Sequence, residues 1–337
     1  MAVPLVGTAM DDMNEAVGAL GLAAQSAALL RGALTSGFLA RLAGEVSVRD
    51  LAPATRLSPG RVRDLCVALR AAGVLESDNP DRYRISTTYA PLLHGGADTQ
   101  VANQLAFVAV RERLIEQMFT PDGPARYQDL PDADRAALAA GVTLAPSTPL
   151  ARAAMTGVVE GIPAWQSLLA GAVRYLELGC GLSGAMLTML QLYPRLTAVG
   201  VDQAADLLDR ARVEAATLGV ADRVRFAAED AAVFSDPEPF DAVFWSQFFF
   251  PAASRVKTLA NAYDRLRPGG LLIVPSLIAP GTSPSDPATS LNVLLAQGWD
   301  IPALTADELC TELTTAGFVS PSVHPSPFAT AVVAHRP

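Results

Sequence analysis

The stretch Tyr175-Leu176-Glu177-Leu178-Gly179-Cys180-Gly181-Leu182-Ser183-Gly184 constrains the fold of this chain more than any other. A short apolar run breaks into a glycine-rich turn, and a helical pattern, Ala185 to Leu192, begins at once. The apolar run reads as a buried strand. Gly179 and Gly181 permit a tight turn and let a ligand lie directly against backbone. The helix that follows offers free N–H groups and the positive end of its dipole. A second apolar run, Leu196 to Val201, ends at Asp202, 23 residues after Gly179. A carboxylate at that place suits ribose hydroxyls. A lone glycine pattern would be weak. Strand, glycine turn, helix, strand and terminal acid in one unit point to a nucleoside-bearing cofactor.

From Val173 onward strands alternate with helices, the pattern of an α/β, doubly wound and mostly parallel sheet. A helix over Ala204 to Leu218 closes at Gly219, and a third strand, Arg223 to Ala228, ends at Glu229-Asp230. The fourth strand is Phe240 to Trp245, followed by a helix over roughly Ala252 to Leu266 that stops at Arg267-Pro268-Gly269-Gly270. The fifth strand is Leu271 to Val274. Thr305 and Glu308 form a capping box for a last helix ended by Gly317, and Phe318 to Ala334 supplies two strand-like runs for an antiparallel edge.

The N-terminal part differs in kind. Met13 to Leu42 carries only Glu15, Arg31 and Arg41 as charges and reads as one or two apolar helices. So little polar face implies burial, either against a second subunit or within its own domain. Val48 to Ala52 then reads as a short helix, and Ser58-Pro59 starts another with an N-cap and a first-turn proline. Val62, Leu65, Cys66 and Leu69 share one face of it. Val74-Leu75 and Tyr83-Arg84-Ile85 flank a turn, which completes a winged helix-turn-helix pattern. Gln100 to Met118 reads as a further helix, and Pro121 to Pro149, rich in Pro, Asp, Gly and Ala, reads as a linker. The expected domains are therefore 1–120, a linker at 121–149, and 150–337.

Charge decides what the winged pattern is for. The chain of 337 residues has a formal net charge of -9, which disfavours nucleic acid and anionic membrane as partners. The second helix of the motif carries only Arg61, Arg63 and Arg70, interleaved with core positions, so a structural or dimerisation role is expected rather than DNA binding. With no uninterrupted run of about eighteen apolar residues, no transmembrane helix is expected. The N-terminus carries acids early and does not read as a secretory signal. Cys66, Cys180 and Cys310 are few and far apart, as are His94, His324 and His335. That fits a cytoplasmic protein without disulfides and without a metal site.

As a whole the chain resembles the class I S-adenosylmethionine-dependent small-molecule O-methyltransferases, most of all a bacterial natural-product branch with an N-terminal winged-helix dimerisation domain. The likeness is most specific in Glu177-Leu178-Gly179-Cys180-Gly181, in Asp202, in Glu229-Asp230 and in Arg267-Pro268-Gly269-Gly270. It implies a Rossmann-like catalytic domain, a homodimer, S-adenosyl-L-methionine as cofactor and a small-molecule acceptor. It further implies that Gly179 and Gly181 meet the methionine part of the cofactor, with Glu177 organising the turn. Asp202 then holds the ribose, Asp230 beside Glu229 takes the adenine amino group, and the Ala231 N–H faces the ring. Ser246 and Gln247 fall near the sulfonium end, although a glutamine there can also serve only to cap the strand.

Two departures from the family pattern matter. Ser183 stands where a third glycine is usual, with Gly184 after it; a serine is tolerated there if its φ is negative. More seriously, Phe248-Phe249-Phe250-Pro251 occupies the family's His-Asp-Trp-Pro run, so Phe248 replaces the general-base histidine and no catalytic residue is assigned. General-base catalysis is worth roughly 10²–10⁴-fold, and an aromatic ring cannot supply it. Three explanations stay open: a nucleophile that needs no base, a carboxylate from another segment, or a reaction other than methyl transfer. The last covers a cyclase or lyase that releases methylthioadenosine, with the phenylalanines facing the sulfonium, and other non-methylating enzymes of this fold. The phenylalanines can equally line an apolar substrate pocket. A cofactor-sensing DNA-binding regulator is a further reading, which the net charge disfavours. Met155, Trp165, Phe248, Asn292 and Trp299 are the candidate pocket residues, from the segment Leu150 to Leu169, the stretch after the fourth strand and the loop Ser276 to Trp299.

Overall fold

The computed structural model describes residues 4–278, 281–283, 285–326 and 330–337, with side chains from residue 10 onward. Residues 279, 280 and 284 of the expected substrate loop lie outside that set, as do 327–329 between the last two strand-like runs. The chain divides into two compact units, Met1–Ala106 and Phe107–Pro337.

The first unit begins with α1 (Pro4–Thr35). Its last turns pack Leu29, Leu30, Ala33 and Leu34 on the unit's core. Upstream the helix is exposed, with Val17, Leu20 and Leu22 at 61%, 73% and 67%. Burial within its own domain is therefore confined to the last turns of this helix. Met10–Thr35 is also long and apolar enough, by length and composition, to cross a membrane. The expectation of no such segment rested on uninterrupted apolar runs. Here glycine, serine and glutamine break the run while the average stays apolar. Then come β1 (Val46–Ser47), α2 (Val48–Thr55), α3 (Pro59–Ala71), β2 (Leu75–Asn79) and β3 (Arg82–Ile85). The three strands form a sheet in the order β1-β3-β2. Ser47 and Ser58 cap α2 and α3 by accepting from the Asp50 and Arg61 N–H groups. Val62, Cys66 and Leu69 are buried in the core, with Leu65 half-buried beside them. Arg63 of α3 is ion-paired with Asp81, and the wing arginines Arg82 and Arg84 with Glu45 and with Glu76 and Asp78 respectively. The helix α4 (Ala97–Gln117) enters the second unit at Phe107.

The second unit opens with residues that composition marks as a linker, yet they hold α5 (Asp132–Gly141). After α6 (Pro149–Glu160) and α7 (Pro163–Leu169) the chain winds through β4 (Val173–Leu178), α8 (Gly184–Leu192), β5 (Leu196–Asp202), α9 (Ala205–Thr217), β6 (Val224–Ala228), β7 (Phe240–Trp245), α10 (Ala252–Arg265) and β8 (Leu266–Pro275). It ends with α11 (Pro287–Gly298), α12 (Ala306–Thr315), β9 (Val319–His324) and β10 (Ala331–His335). The seven-stranded sheet has the order β6-β5-β4-β7-β8-β10-β9. The five strands from β6 to β8 are parallel, and β10 and β9 complete an antiparallel edge. Thr305 and Glu308 make the expected capping box on α12.

Core clusters cover both faces of the sheet, which is why the parallel strands read as unbroken apolar runs. The Arg267-Pro268-Gly269-Gly270 turn is a bulge inside β8: Phe240 pairs with Leu266, and Ala242 already pairs with Leu271. Gly269 has φ +75, and its N–H donates to the Arg336 carbonyl at 2.8 Å. Strand order runs outward in both directions from β4, with β5 on one side and β7 on the other. A crevice at the carboxyl ends of these strands is the place where sheets of this kind bind ligands.

Candidate functional site

The turn after β4 is built by backbone. Gly179 has φ +73 and Gly181 φ +50. The Gly179 and Cys180 N–H groups both donate to the Val201 carbonyl, at 2.9 and 3.1 Å. Gly179 is also a close-approach position: a Cβ there would lie 2.6 Å from the Phe250 ring. The negative φ expected of Ser183 is not found. It sits at φ +57, and its N–H donates to the Cys180 carbonyl at 2.6 Å. A left-handed non-glycine residue costs on the order of 1–3 kcal/mol, and the Ser183 hydroxyl is buried without a partner. Glycine is needed one residue later for a different reason. A Cβ on Gly184 would lie 2.4 Å from the Leu144 carbonyl oxygen and 2.6 Å from the Thr143 hydroxyl.

Acids ring this turn. Asp202 ends β5 and fixes the turn through both oxygens, accepting from the Gly181 N–H and the Ala204 N–H at 2.8 Å each. Each oxygen keeps a further lone pair for a ligand. Burial raises the Asp202 carboxyl from its ordinary value, against the pull of those backbone hydrogen bonds. Glu177 is 4% exposed, and its Oε2 has no hydrogen-bond partner. Burial first, and the charge of Asp202 second, push its carboxyl up to about 8. Burial likewise holds the Cys180 thiol well above the ordinary range. At the end of β6, Asp230 accepts from the Ala232 N–H at 2.9 Å and so shapes the next loop.

These groups open onto a cavity of about 1220 Å³ at the carboxyl ends of β4, β5, β6 and β7. Pockets for small molecules and cofactors are typically ~300–1,000 Å³, so this one has room for a cofactor and a second small molecule. Its other wall is aromatic and comes from three segments. Tyr127 lies 4.5 Å from Phe249 and 6.0 Å from Trp299, centroid to centroid, and Phe249 lies 6.0 Å from Trp299. Phe250 meets Trp245 edge to face at 5.6 Å. Burial, with Asp202 behind it, raises the Tyr127 hydroxyl above its ordinary value, so it stays a neutral donor. The segment that carries Tyr127 is pinned by Arg135, 9% exposed, which donates to Asp206, Asp132 and the carbonyls of Gln128 and Leu130.

The cavity gathers Glu177, Gly179, Gly181, Asp202, Glu229, Asp230, Ala231 and Ser246 around one space, with Phe248 and Trp299 across it. Four expected site residues are placed elsewhere. Gln247 is buried and donates to the Pro275 carbonyl at 2.6 Å, the strand-capping alternative. Trp165 is a core residue stacked on Tyr175 beneath the sheet. Met155 packs against the same core cluster. Asn292 accepts from the half-buried Arg111 at 2.6 Å. Residues that the sequence reading missed are Tyr127, Arg135 and Lys257, while Phe249, expected only as part of the phenylalanine run, lines the cavity beside Phe248. A tyrosine and an arginine in a stretch otherwise made of turn formers were the available signal for the first two. Lys257, exposed in the second turn of α10, carried no such signal. Among the described residues no histidine lines the cavity.

Sequence and structure comparisons agree with this geometry. A family profile described as "Methyltransferase domain" matches residues 176–270, the span from β4 into β8. No curated protein matches the chain by sequence. Among solved structures it is similar to an O-methyltransferase family protein from Burkholderia thailandensis, with 18% identity, TM-score 0.69, and coverage of 93% of this chain and 94% of the other. It is similar to human N-acetylserotonin methyltransferase in complex with SAM, with 15% identity, TM-score 0.70 and coverage of 96% and 97%. It is also similar to an N,N-8-amino-8-demethyl-D-riboflavin dimethyltransferase from Streptomyces davawensis, with 20% identity, TM-score 0.65 and coverage of 96% and 98%. At such identities the likeness establishes the Rossmann-like fold of these methyltransferases.

Proposed function

We propose that this chain is an S-adenosyl-L-methionine-dependent methyltransferase of a small-molecule acceptor, working without a histidine base. One observation carries the reading: the glycine turn, Glu177, Asp202 and Asp230 converge on one cavity, inside the span that matches the methyltransferase domain. The residues fit the cofactor. Asp202 retains lone pairs at the strand end for ribose hydroxyls, Asp230 and the Ala231 backbone stand at the next strand end for adenine, and the Gly179 backbone lines the same cavity, packed closely against the Phe250 ring. Glu177, whose buried Oε2 has no hydrogen-bond partner, lines a cavity rich in carboxylates, which suits a ligand with positive charge. The bound cofactor would supply an electrophilic methyl group. The chain's own contribution is binding, orientation and exclusion of water, which can account for several kcal/mol of barrier lowering.

Among the described residues no imidazole faces the cavity and the residues after β7 are aromatic, so the acceptor is one that needs no histidine base: an amine or an already ionised oxygen, or a hydroxyl served by one of the cavity's carboxylates. The Tyr127, Phe249 and Trp299 wall suits an apolar or aromatic body. The same two observations favour, as a second reading, a cyclase or lyase that consumes the cofactor and releases methylthioadenosine. The two are separated by incubating the protein with methyl-labelled cofactor, alone and with candidate acceptors, and analysing the products by mass spectrometry. Labelled product with S-adenosylhomocysteine supports methyl transfer. Methylthioadenosine formed without acceptor supports the second reading, and absence of any cofactor binding by calorimetry rejects both.

The N-terminal unit is proposed as a winged-helix dimerisation domain rather than a nucleic-acid reader, since Arg63 of α3 is paired with Asp81 and the wing arginines Arg82 and Arg84 with Glu45, Glu76 and Asp78. A second copy of the chain is the proposed cover for the exposed apolar length of α1, giving a homodimer whose disruption by Leu20→Lys is read by sedimentation. The three free cysteines accord with a proposed cytoplasmic location.

A further inference from the structure

We propose that Glu177 makes the cavity selective for charge: its buried carboxylic acid gives up a proton when a cationic cofactor enters, which favours the sulfonium over the neutral thioether that remains after reaction. The inference deepens the cofactor assignment above and rests on it.

The geometry is that of a carboxyl group waiting for a counterion. Glu177 lies on the central strand β4, 4% exposed, and lines the cavity with Oε2 lacking a hydrogen-bond partner. On β5 alongside it, Gly200 is its register partner and Asp202 follows two residues later, facing the same space. The other titratable groups against it are Tyr175 on its own strand and Cys180 in the turn. None of these is a cation. The buried guanidinium of the cavity, Arg135, is committed to Asp206, Asp132 and two carbonyls, and Lys257 is exposed on α10. Arg126 also lines the cavity but, like Lys257, is exposed, so among the described residues no buried cation is left to neutralise the two carboxylates in this low-dielectric space. An isolated charge there is costly, and the group stays protonated instead. Burial and Asp202 together hold the Glu177 carboxyl at about 8, so at neutral pH it is the acid.

A ligand bearing a sulfonium changes that balance. Its positive charge lowers the carboxyl toward the ordinary range; the proton leaves to the buffer, and the ligand is held against a new carboxylate. No covalent bond to the ligand forms or breaks in this exchange. When the sulfur becomes a thioether the charge is gone, the carboxylate is again uncompensated and takes a proton back. Cofactor and product share the same amino and carboxylate groups, so the difference between them isolates the sulfur charge. Selection for the cofactor over its product follows without any contact that distinguishes their shapes.

The test measures affinities of S-adenosylmethionine and S-adenosylhomocysteine for the full chain and for Glu177→Gln from pH 6 to 9, with calorimetry in two buffers of different ionisation enthalpy. In the wild type the affinity ratio of cofactor to product should rise with pH, by up to about tenfold per unit below pH 8, and level off above it. The variant should show a flat and lower ratio. At pH 7 the wild type should release close to one proton more than the variant on binding S-adenosylmethionine. Infrared spectroscopy of the wild type alone should show a protonated carboxyl band that disappears with S-adenosylmethionine and persists with S-adenosylhomocysteine, a readout that stands if the variant does not fold. Equal pH dependence of the ratio in both proteins, equal proton release, or no loss of that band overturns the role of Glu177. Failure of both ligands to bind the wild type at every pH is a different result, and it removes the cofactor assignment itself.

Discussion

Gly184→Ala tests whether the cavity is held by close backbone packing. Gly184 opens α8, where alanine in place of glycine favours a helix by up to about 1 kcal/mol. Against that, the added methyl would stand 2.4 Å from the Leu144 carbonyl oxygen, with the Thr143 hydroxyl at 2.6 Å and its methyl at 2.9 Å. Ordinary carbon–oxygen contact is roughly 1 Å longer, and a backbone carbonyl cannot rotate away as a side-chain tip can. Overpacking of this kind typically costs about 1–3 kcal/mol, and a rigid neighbour places it at the upper end. The net expectation is destabilisation by about 2 kcal/mol, which for a unit of this size lowers Tm by roughly 4–8 °C. The matched control is Gly157→Ala in α6, where a Cβ meets nothing within 4 Å. There only the propensity gain remains, and Tm should hold or rise. Both are read by thermal and urea unfolding, with ligand binding followed in parallel. Since residues 143 and 144 lead out of α5, whose neighbouring segment carries Tyr127, Gly184→Ala should also weaken cofactor binding. A Gly184→Ala protein as stable as the wild type would refute the assignment of this glycine to close approach.

Asp202→Ala should lose cofactor binding by at least about 100-fold in calorimetry, because it removes the proposed ribose partner and strands two backbone donors, each costing on the order of 1–3 kcal/mol. Glu312→Ala leaves Arg255, 2% exposed and stacked over Trp245 at 4.6 Å, without its carboxylate; unfolding should show a loss of about 3–5 kcal/mol while cavity residues stay in place. The raised carboxyl of Glu177 predicts a pH dependence of stability. Above the unfolded value of about 4.5 the unfolded chain sheds this proton while the folded chain keeps it, so stability is fully present at low pH and falls as pH climbs toward about 8. A gap of about 3.5 units at about 1.36 kcal/mol each puts the loss on the order of 4–5 kcal/mol. Glu177→Gln should therefore raise Tm at pH 8.5 far more than at pH 5, measured without ligand.

Several parts of the molecule were legible from residue order because the signal is local. Capping residues satisfy backbone groups within one turn, so Ser58-Pro59 and the Thr305–Glu308 box appear where their types and spacing place them. Strands buried on both faces must be apolar throughout, so β4, β5, β7 and the core of β8 show as runs. The cavity residues Gly179, Gly181, Asp202 and Asp230 sit at strand ends, and strand ends are what alternation locates.

What the sequence by itself determined is thus the alternation, the parallel sheet and the glycine turn with its terminal acids, since each follows from interactions among residues near in the chain. Tertiary structure alone decided who else reaches the cavity. Tyr127, Phe249 and Trp299 are far apart in sequence and meet only because packing brings their segments together, while Gln247, adjacent to Phe248, turns away because a carbonyl at Pro275 needs its amide. It also decided chemistry. A glutamate in a turn motif is ordinarily ionised, and only full burial on the central strand beside Asp202 makes Glu177 an acid at neutral pH. Burial and cross-chain neighbours depend on the whole fold, so no reading of spacing contains them.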